Sequence, residues 1–162
     1  MKHYRLNFVC MGNICRSPLA RCIFEHLAQE RNLSSNFTLD SCGTSSWESG
    51  KPADPRSVQV AAAHGLTLVN TARQLRARDF EDFDLLLAMD LHNISESIRI
   101  GGPFHKIRLL RSYDPLLADI ADDHRQVPDP YHGGDNGFEL GYQMIERACV
   151  GLLDTLSADK FK

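Results

Sequence analysis

The chain has 162 residues, 43% hydrophobic and 24% charged, with a formal net charge of −3. That suits one globular domain over residues 1–162 with a core of its own, and leaves little room for two. Basic residues are scattered, so nothing calls for a nucleic-acid partner.

No segment approaches the ~18 apolar residues of a membrane span, and "MKHYRLNFVC" lacks the apolar run of a secretory leader. The expectation is a soluble, cytoplasmic protein with no membrane partner. Cysteines stand at positions 10, 15, 22, 42 and 149. An odd number in a chain this long fits reduced thiols better than a disulfide scaffold. Cys22 and Cys149 fall in helical patterns and read as small core residues.

In chain order, residues 5–10 predict a buried strand ending at a Gly-Asn turn. A helix is predicted from Pro18 to Arg31, with Ser17 as its cap. "FTLDS" reads as a second strand, followed by the turn-rich loop "CGTSSWESGKPADP". "PRSVQVAAAHG" is a helix stopped by Gly65. "FDLLLAM" is a near-continuous apolar run, the mark of a strand covered on both faces. "DLHNISESI" predicts a helix and "HKIRLL" a fourth strand. A polar loop from Ser112 to Gly137 leads to a last helix. There Phe138, Tyr142, Ile145, Cys149, Leu152 and Leu156 keep the 3.6-residue period. Alternating strands and helices imply an α/β fold, a parallel sheet with helices on both faces. Ligands of such sheets bind beyond the carboxyl ends of the strands, where Cys10 lies.

The stretch "FVCMGNICRSPLA" concentrates the chemistry. A loop that wraps from a strand end into a helix N-terminus can aim the N–H groups of Met11 to Arg16 at one point, aided by the helix dipole. Gly12 tolerates unusual backbone angles, and Asn13 tolerates left-handed ones. The result is a cradle for a phosphate-sized dianion, with the Cys10 sulfur at its floor. Such a field favours thiolate. Arg16 can fold over the anion with two parallel hydrogen bonds, a match lysine does not offer. The Ser17 hydroxyl is in place to donate to the sulfur.

A bare Cys-x5-Arg is a weak signal, and the chain holds a second match from Cys15 to Arg21. That register encloses Pro18, which has no N–H, and no glycine, so Cys10 is the better nucleophile. Three other readings stand beside this one. Zinc needs about four ligands, and no histidine is near in sequence. A redox pair of thioredoxin type would be Cys-x2-Cys, whereas the spacing here is Cys-x4-Cys. A structural nest without chemistry is the third. No metal and no cofactor are expected.

With "DSCGTSSWESGKPADPRS", "AHGL" before "ARQL", "LLLAMD" and "VPDPYHGG" in this order, "VCMGNICRSP" resembles the phosphate-binding loop of the low-molecular-weight protein tyrosine phosphatases. The resemblance spans nearly the whole chain. It implies a flavodoxin-like, three-layer αβα fold with a four-stranded parallel sheet. It further implies Cys10 as nucleophile, Arg16 as phosphate clamp and Asp129 as general acid, with Met11, Gly12, Asn13, Ile14, Cys15 and Ser17 forming the loop. Asn13, Ser17, Ser41 and His64 resemble residues that hold the loop in shape, and Asp90 resembles an aspartate near the site. Trp47 and Tyr131 resemble the aromatic walls of the entrance, and His132 stands where many relatives carry a second aromatic. The family pattern also implies that Cys15 pairs with Cys10 under oxidation.

The implied activity is hydrolysis of phosphotyrosine and aryl phosphates through a phosphocysteine, with tyrosine-phosphorylated proteins and oxyanions as partners. The expected assembly is a monomer or a weak self-associating dimer. The rivals are a thiol-coupled arsenate reductase on the same fold, which needs a further cysteine pair beyond residue 70, and a phosphotyrosine-binding module without turnover.

Overall fold

A computed structural model describes residues 1–132, 134 and 136–158. Strand β1 (Tyr4–Cys10) leads through the loop into helix α1 (Arg16–Glu30), and β2 (Phe37–Gly43) follows. Next come α2 (Pro55–Ala63), the short α3 (Asp79–Asp82), β3 (Leu85–Ala88), α4 (Leu91–Arg99), β4 (Ile107–Leu109) and α5 (Gly137–Ser157). The four strands form one parallel sheet in the order β2-β1-β3-β4.

The pleat of β1 sorts its side chains onto two cores. Tyr4, Leu6, Phe8 and Cys10 face the larger cluster, with Leu19, Ile23 and Phe24 of α1 and Ile145, Cys149 and Leu152 of α5. Val9 faces the smaller cluster, with Leu75, Phe80, Leu86 and Ile107. Helices therefore cover both faces, as the alternating elements predict. From β1 the chain crosses one way to β2 and later the other way to β3. The carboxyl end of β1 is thus the switch point of the sheet, where a crevice opens. Cys10 closes that strand.

Several boundaries differ from the sequence reading, two of them with chemical consequences. Helix α1 starts at Arg16 rather than Pro18, and its N-cap, Cys15, makes no side-chain capping bond. Ser17 is therefore no cap: it sits inside the first turn with its hydroxyl turned toward Cys10. Strand β2 runs two residues past Ser41, through Cys42 to Gly43. The predicted loop from Ser112 to Gly137 holds several 3₁₀ turns, among them Leu110–Tyr113 at its start and Pro130–His132. Among the described residues, no helix is long and apolar enough to cross a membrane.

Candidate active site

The loop from Cys10 to Arg16 is held by its carbonyls. Those of Cys10 and Met11 accept from the N–H groups of Thr44 and Ser45, each at 2.9 Å. The carbonyl of Ile14 accepts from the Asp54 N–H at 2.8 Å, and that of Asn13 from the Asn70 amide at 3.0 Å. Four of the loop's carbonyls are thus tied to neighbouring segments. Asn13 makes the turn with φ 58°, the left-handed region that asparagine tolerates. Gly12 has no positive φ, so the expectation of unusual angles there is corrected. What it lacks is bulk: a Cβ at Gly12 would stand 3.2 Å from Cγ of Glu48.

The Cys10 sulfur accepts from the Asn13 N–H at 3.3 Å and lies 3.0 Å from the Ser17 hydroxyl. The Asn13 side-chain amide donates to the hydroxyls of Ser17 (2.8 Å) and Ser41 (3.0 Å), and Ser41 donates to Asn70 Oδ1 at 3.2 Å. Asn13, Ser17, Ser41 and Asn70 form one network beneath the sulfur. Such a connected polar cluster fixes rotamers that isolated bonds would leave free.

Arg16 is 3% exposed, and burial alone would favour its neutral form. Cys10 and Asp90 outweigh that and hold its pKa above the ordinary value. Asp90 caps α4 with one oxygen, accepting from the Asn93 N–H at 2.8 Å, and accepts from Arg16 Nη1 at 2.6 Å with the other. The same Nη1 donates to the Val127 carbonyl at 3.0 Å. Asp129 stands opposite, its Oδ2 3.7 Å from Nη2. Its Oδ1 accepts from the Tyr131 N–H at 3.0 Å, an Asx turn that sets the carboxyl at the mouth.

These groups surround a pocket of about 210 Å³ lined by Cys10, Met11, Gly12, Ile14, Cys15 and Arg16, with Trp47, Asp129 and Tyr131 at the rim. Trp47 is 79% exposed, as its polar neighbourhood predicts. Burial and the nearby Asp54 carboxylate push the Cys15 thiol up to about 12. The side chain of His132 lies outside the described residues.

His64 is elsewhere. Its Nε2 pairs with Glu139 of α5 at 2.9 Å, and its ring stacks on Tyr142 with centroids 3.8 Å apart. Its side chain thus joins α2 to α5, and Asn70 holds the loop in its place. The sequence reading also missed Arg56, which pairs with Asp54 and lies over the rings of Tyr131 (5.3 Å) and Phe138 (4.6 Å). It missed Gly43 as well, where a Cβ would meet the Met11 carbonyl at 2.7 Å. A glycine closing a strand is the signal that marks such a close approach. Asn70, within "LVNTAR", offers none.

The family model described as low molecular weight phosphotyrosine protein phosphatase matches residues 5–162. A low molecular weight protein-tyrosine-phosphatase of Streptomyces coelicolor is 43% identical, over 93% of this chain and 92% of its own. A protein tyrosine phosphatase structure from Entamoeba histolytica superposes with a TM-score of 0.89 at 34% identity, covering 98% of this chain and 99% of its own. The structure of a Drosophila arginine phosphatase does so with a TM-score of 0.84 at 35% identity, covering 96% and 98%. By a family match over nearly its whole length, and with Cys10, Arg16 and Asp129 lining one pocket, this chain belongs to the low molecular weight phosphotyrosine protein phosphatases.

Proposed function

We propose that this chain is a cytoplasmic tyrosine phosphatase that works without metal or cofactor on tyrosine-phosphorylated proteins, as one domain over residues 1–162. The observation that carries this reading is the convergence of the Cys10 sulfur, the Arg16 guanidinium and the Asp129 carboxyl on one pocket.

The Cys10 sulfur attacks phosphorus and forms an S–P bond as the P–O bond to the phenolic oxygen breaks. Arg16 and the loop amides hold the three equatorial oxygens, where charge is stabilised by groups already in position. Asp129 gives its proton to the departing oxygen. Water then attacks the phosphocysteine, Asp129 takes the proton of that water, and the S–P bond breaks to release phosphate. Ser17, beside the sulfur, donates to it as it leaves. Asn13, Ser41, Asn70 and Asp90 keep the loop and the clamp in register.

Trp47 and Tyr131 flank the mouth and give an aromatic ester two faces to pack on. A binding module would need neither thiol nor acid. A reductase would need further accessible cysteines, and Cys149 is buried with its thiol directed at the Ala20 carbonyl. Cys15 is the partner for a disulfide with Cys10 under oxidation.

The test is phosphate release from a phosphotyrosine peptide, with a phosphoarginine peptide beside it because a Drosophila structure of this fold bears that activity in its name. Cys10→Ser abolishes turnover, and wild type prefers phosphotyrosine. Unchanged activity in Cys10→Ser refutes the nucleophile, and a preference for phosphoarginine refutes the substrate class.

A further inference from the structure

Arg111 has no part in the steps above. It sits in the 3₁₀ turn Leu110–Tyr113 that follows β4, with only 10% of its side chain exposed. Its Nη1 donates to the Gln126 carbonyl at 2.9 Å. Its Nη2 stands 3.5 Å from Oδ2 of Asp114, a wholly buried carboxylate that Arg147 of α5 approaches at 3.4 Å from another side. Asp114 also accepts from the Leu116 N–H at 3.0 Å. Taking such charges out of water is costly, and one guanidinium of this cluster also holds a backbone carbonyl.

That carbonyl belongs to the segment before the acid. Gln126 precedes Val127, whose carbonyl accepts from Arg16 and whose N–H donates to the Met89 carbonyl at 2.8 Å. Two guanidinium groups thus grip consecutive carbonyls, and Asp129 follows two residues later. The Gln126 side chain adds a bond from the Leu91 N–H at 2.8 Å and one to the Asp123 carbonyl at 2.9 Å. The platform itself is fixed. Any Cβ at Gly151 of α5 would collide with the Tyr113 carbonyl, so the turn bearing Arg111 sits hard against that helix.

We propose that Arg111, backed by Asp114 and Arg147, is a positioning residue for proton delivery. It fixes the Gln126–Val127 backbone from which Asp129 meets the leaving oxygen. The inference rests on the reading of Asp129 as general acid. Arg111 does not line the phosphate pocket, and Arg16 keeps its bond to Asp90, so the loss of Arg111 slackens the acid more than the cradle. The deficit therefore grows with the basicity of the leaving group. A phenolate, whose conjugate acid has a pKa of about 10, needs the proton, and a nitrophenolate needs it much less.

The experiment compares kcat/KM for phenyl phosphate and p-nitrophenyl phosphate in wild type, Arg111→Met, Arg111→Lys, Asp114→Asn and Asp129→Asn. Inhibition by inorganic phosphate reports on the cradle. Arg111→Met is expected to lose about tenfold more on phenyl phosphate than on the nitro ester, with phosphate inhibition within about twofold of wild type. Arg111→Lys, which keeps one donor, recovers part of that loss. An equal fall on both esters, or phosphate inhibition weakening in parallel, overturns the proposal.

Asp129→Asn separates the two readings. If it shows no leaving-group bias, the general-acid assignment fails. If it shows the bias and Arg111→Met does not, the positioning role fails alone. Should Arg111→Met not fold, Asp114→Asn and Arg111→Lys decide by the same comparison: a smaller bias of the same sign supports the proposal, and none overturns it.

Discussion

Asn70 donates its side-chain amide to the carbonyl of Asn13 at 3.0 Å, and Asn13 is the residue whose left-handed turn brings the loop beneath the sulfur. Asn70 also accepts from Ser41 of β2, so one amide ties the loop to the sheet. Asn70→Ala leaves these partners without it, at about 1–3 kcal/mol of stability, and kcat is expected to fall about tenfold. Asn70→Asp is expected to be worse, since a carboxylate has no N–H to give and sets its lone pairs against those of the Asn13 carbonyl oxygen. Urea denaturation and turnover of an aryl phosphate check both, and an Asn70→Asp protein of wild-type stability contradicts the bracing role.

The Cys15 thiol, pushed up to about 12 by burial and by Asp54, is protonated at neutral pH. Thiol–disulfide chemistry proceeds through thiolate. Formation of a Cys10–Cys15 bond after peroxide is therefore expected to speed up about tenfold per pH unit between pH 7 and 9. Asp54→Asn removes a negative neighbour, lowers the Cys15 pKa and raises the rate at any fixed pH. Quenching with an alkylating reagent followed by peptide mass analysis gives the rates. Peroxide-treated Cys15→Ser is expected not to recover with added thiol, whereas wild type does.

Gly43 lies where β2 passes behind the loop. A methyl group there would stand 2.7 Å from the Met11 carbonyl and 3.0 Å from the Gly12 carbonyl carbon. Both are backbone atoms and cannot turn aside. Gly43→Ala is expected to cost about 1–3 kcal/mol and to weaken phosphate inhibition about tenfold. Thermal melting with and without phosphate measures both effects.

Arg56 is paired to Asp54 and stacked between Tyr131 and Phe138, so it sets the aromatic wall without touching the phosphate site. Arg56→Ala frees that wall. KM for a phosphotyrosine peptide is expected to rise about two- to fivefold with kcat nearly unchanged, since cation–π contacts at exposed sites are worth roughly 0.5–1 kcal/mol. A fall in kcat with constant KM contradicts this.

The elements were legible in the sequence because their signals are local. The apolar run at residues 83–89 has the length and composition of a covered strand, and the 3.6-residue period of the last helix spans it from Phe138 to Leu156. The loop was legible for the same reason: nucleophile, turn residues and arginine are contiguous. The bracing around it was not. Asn70, Arg56 and Arg111 act through contacts of 57, 75 and 15 residues' separation, which no periodicity records. His64 shows the opposite error, since the motif around it is real while its side chain faces α5. Ser17 has a good cap's chemistry, but a sulfur and an asparagine amide compete for its hydroxyl and win.

Trp47 is the single tryptophan of the chain, and it stands in solvent at the pocket rim. Its emission therefore carries no background from any buried indole. Oxyanion or phosphopeptide capture changes the polarity around that one ring, so titrating ligand against intrinsic fluorescence reads occupancy directly. An inactive Cys10→Ser enzyme serves equally well, and no label is needed.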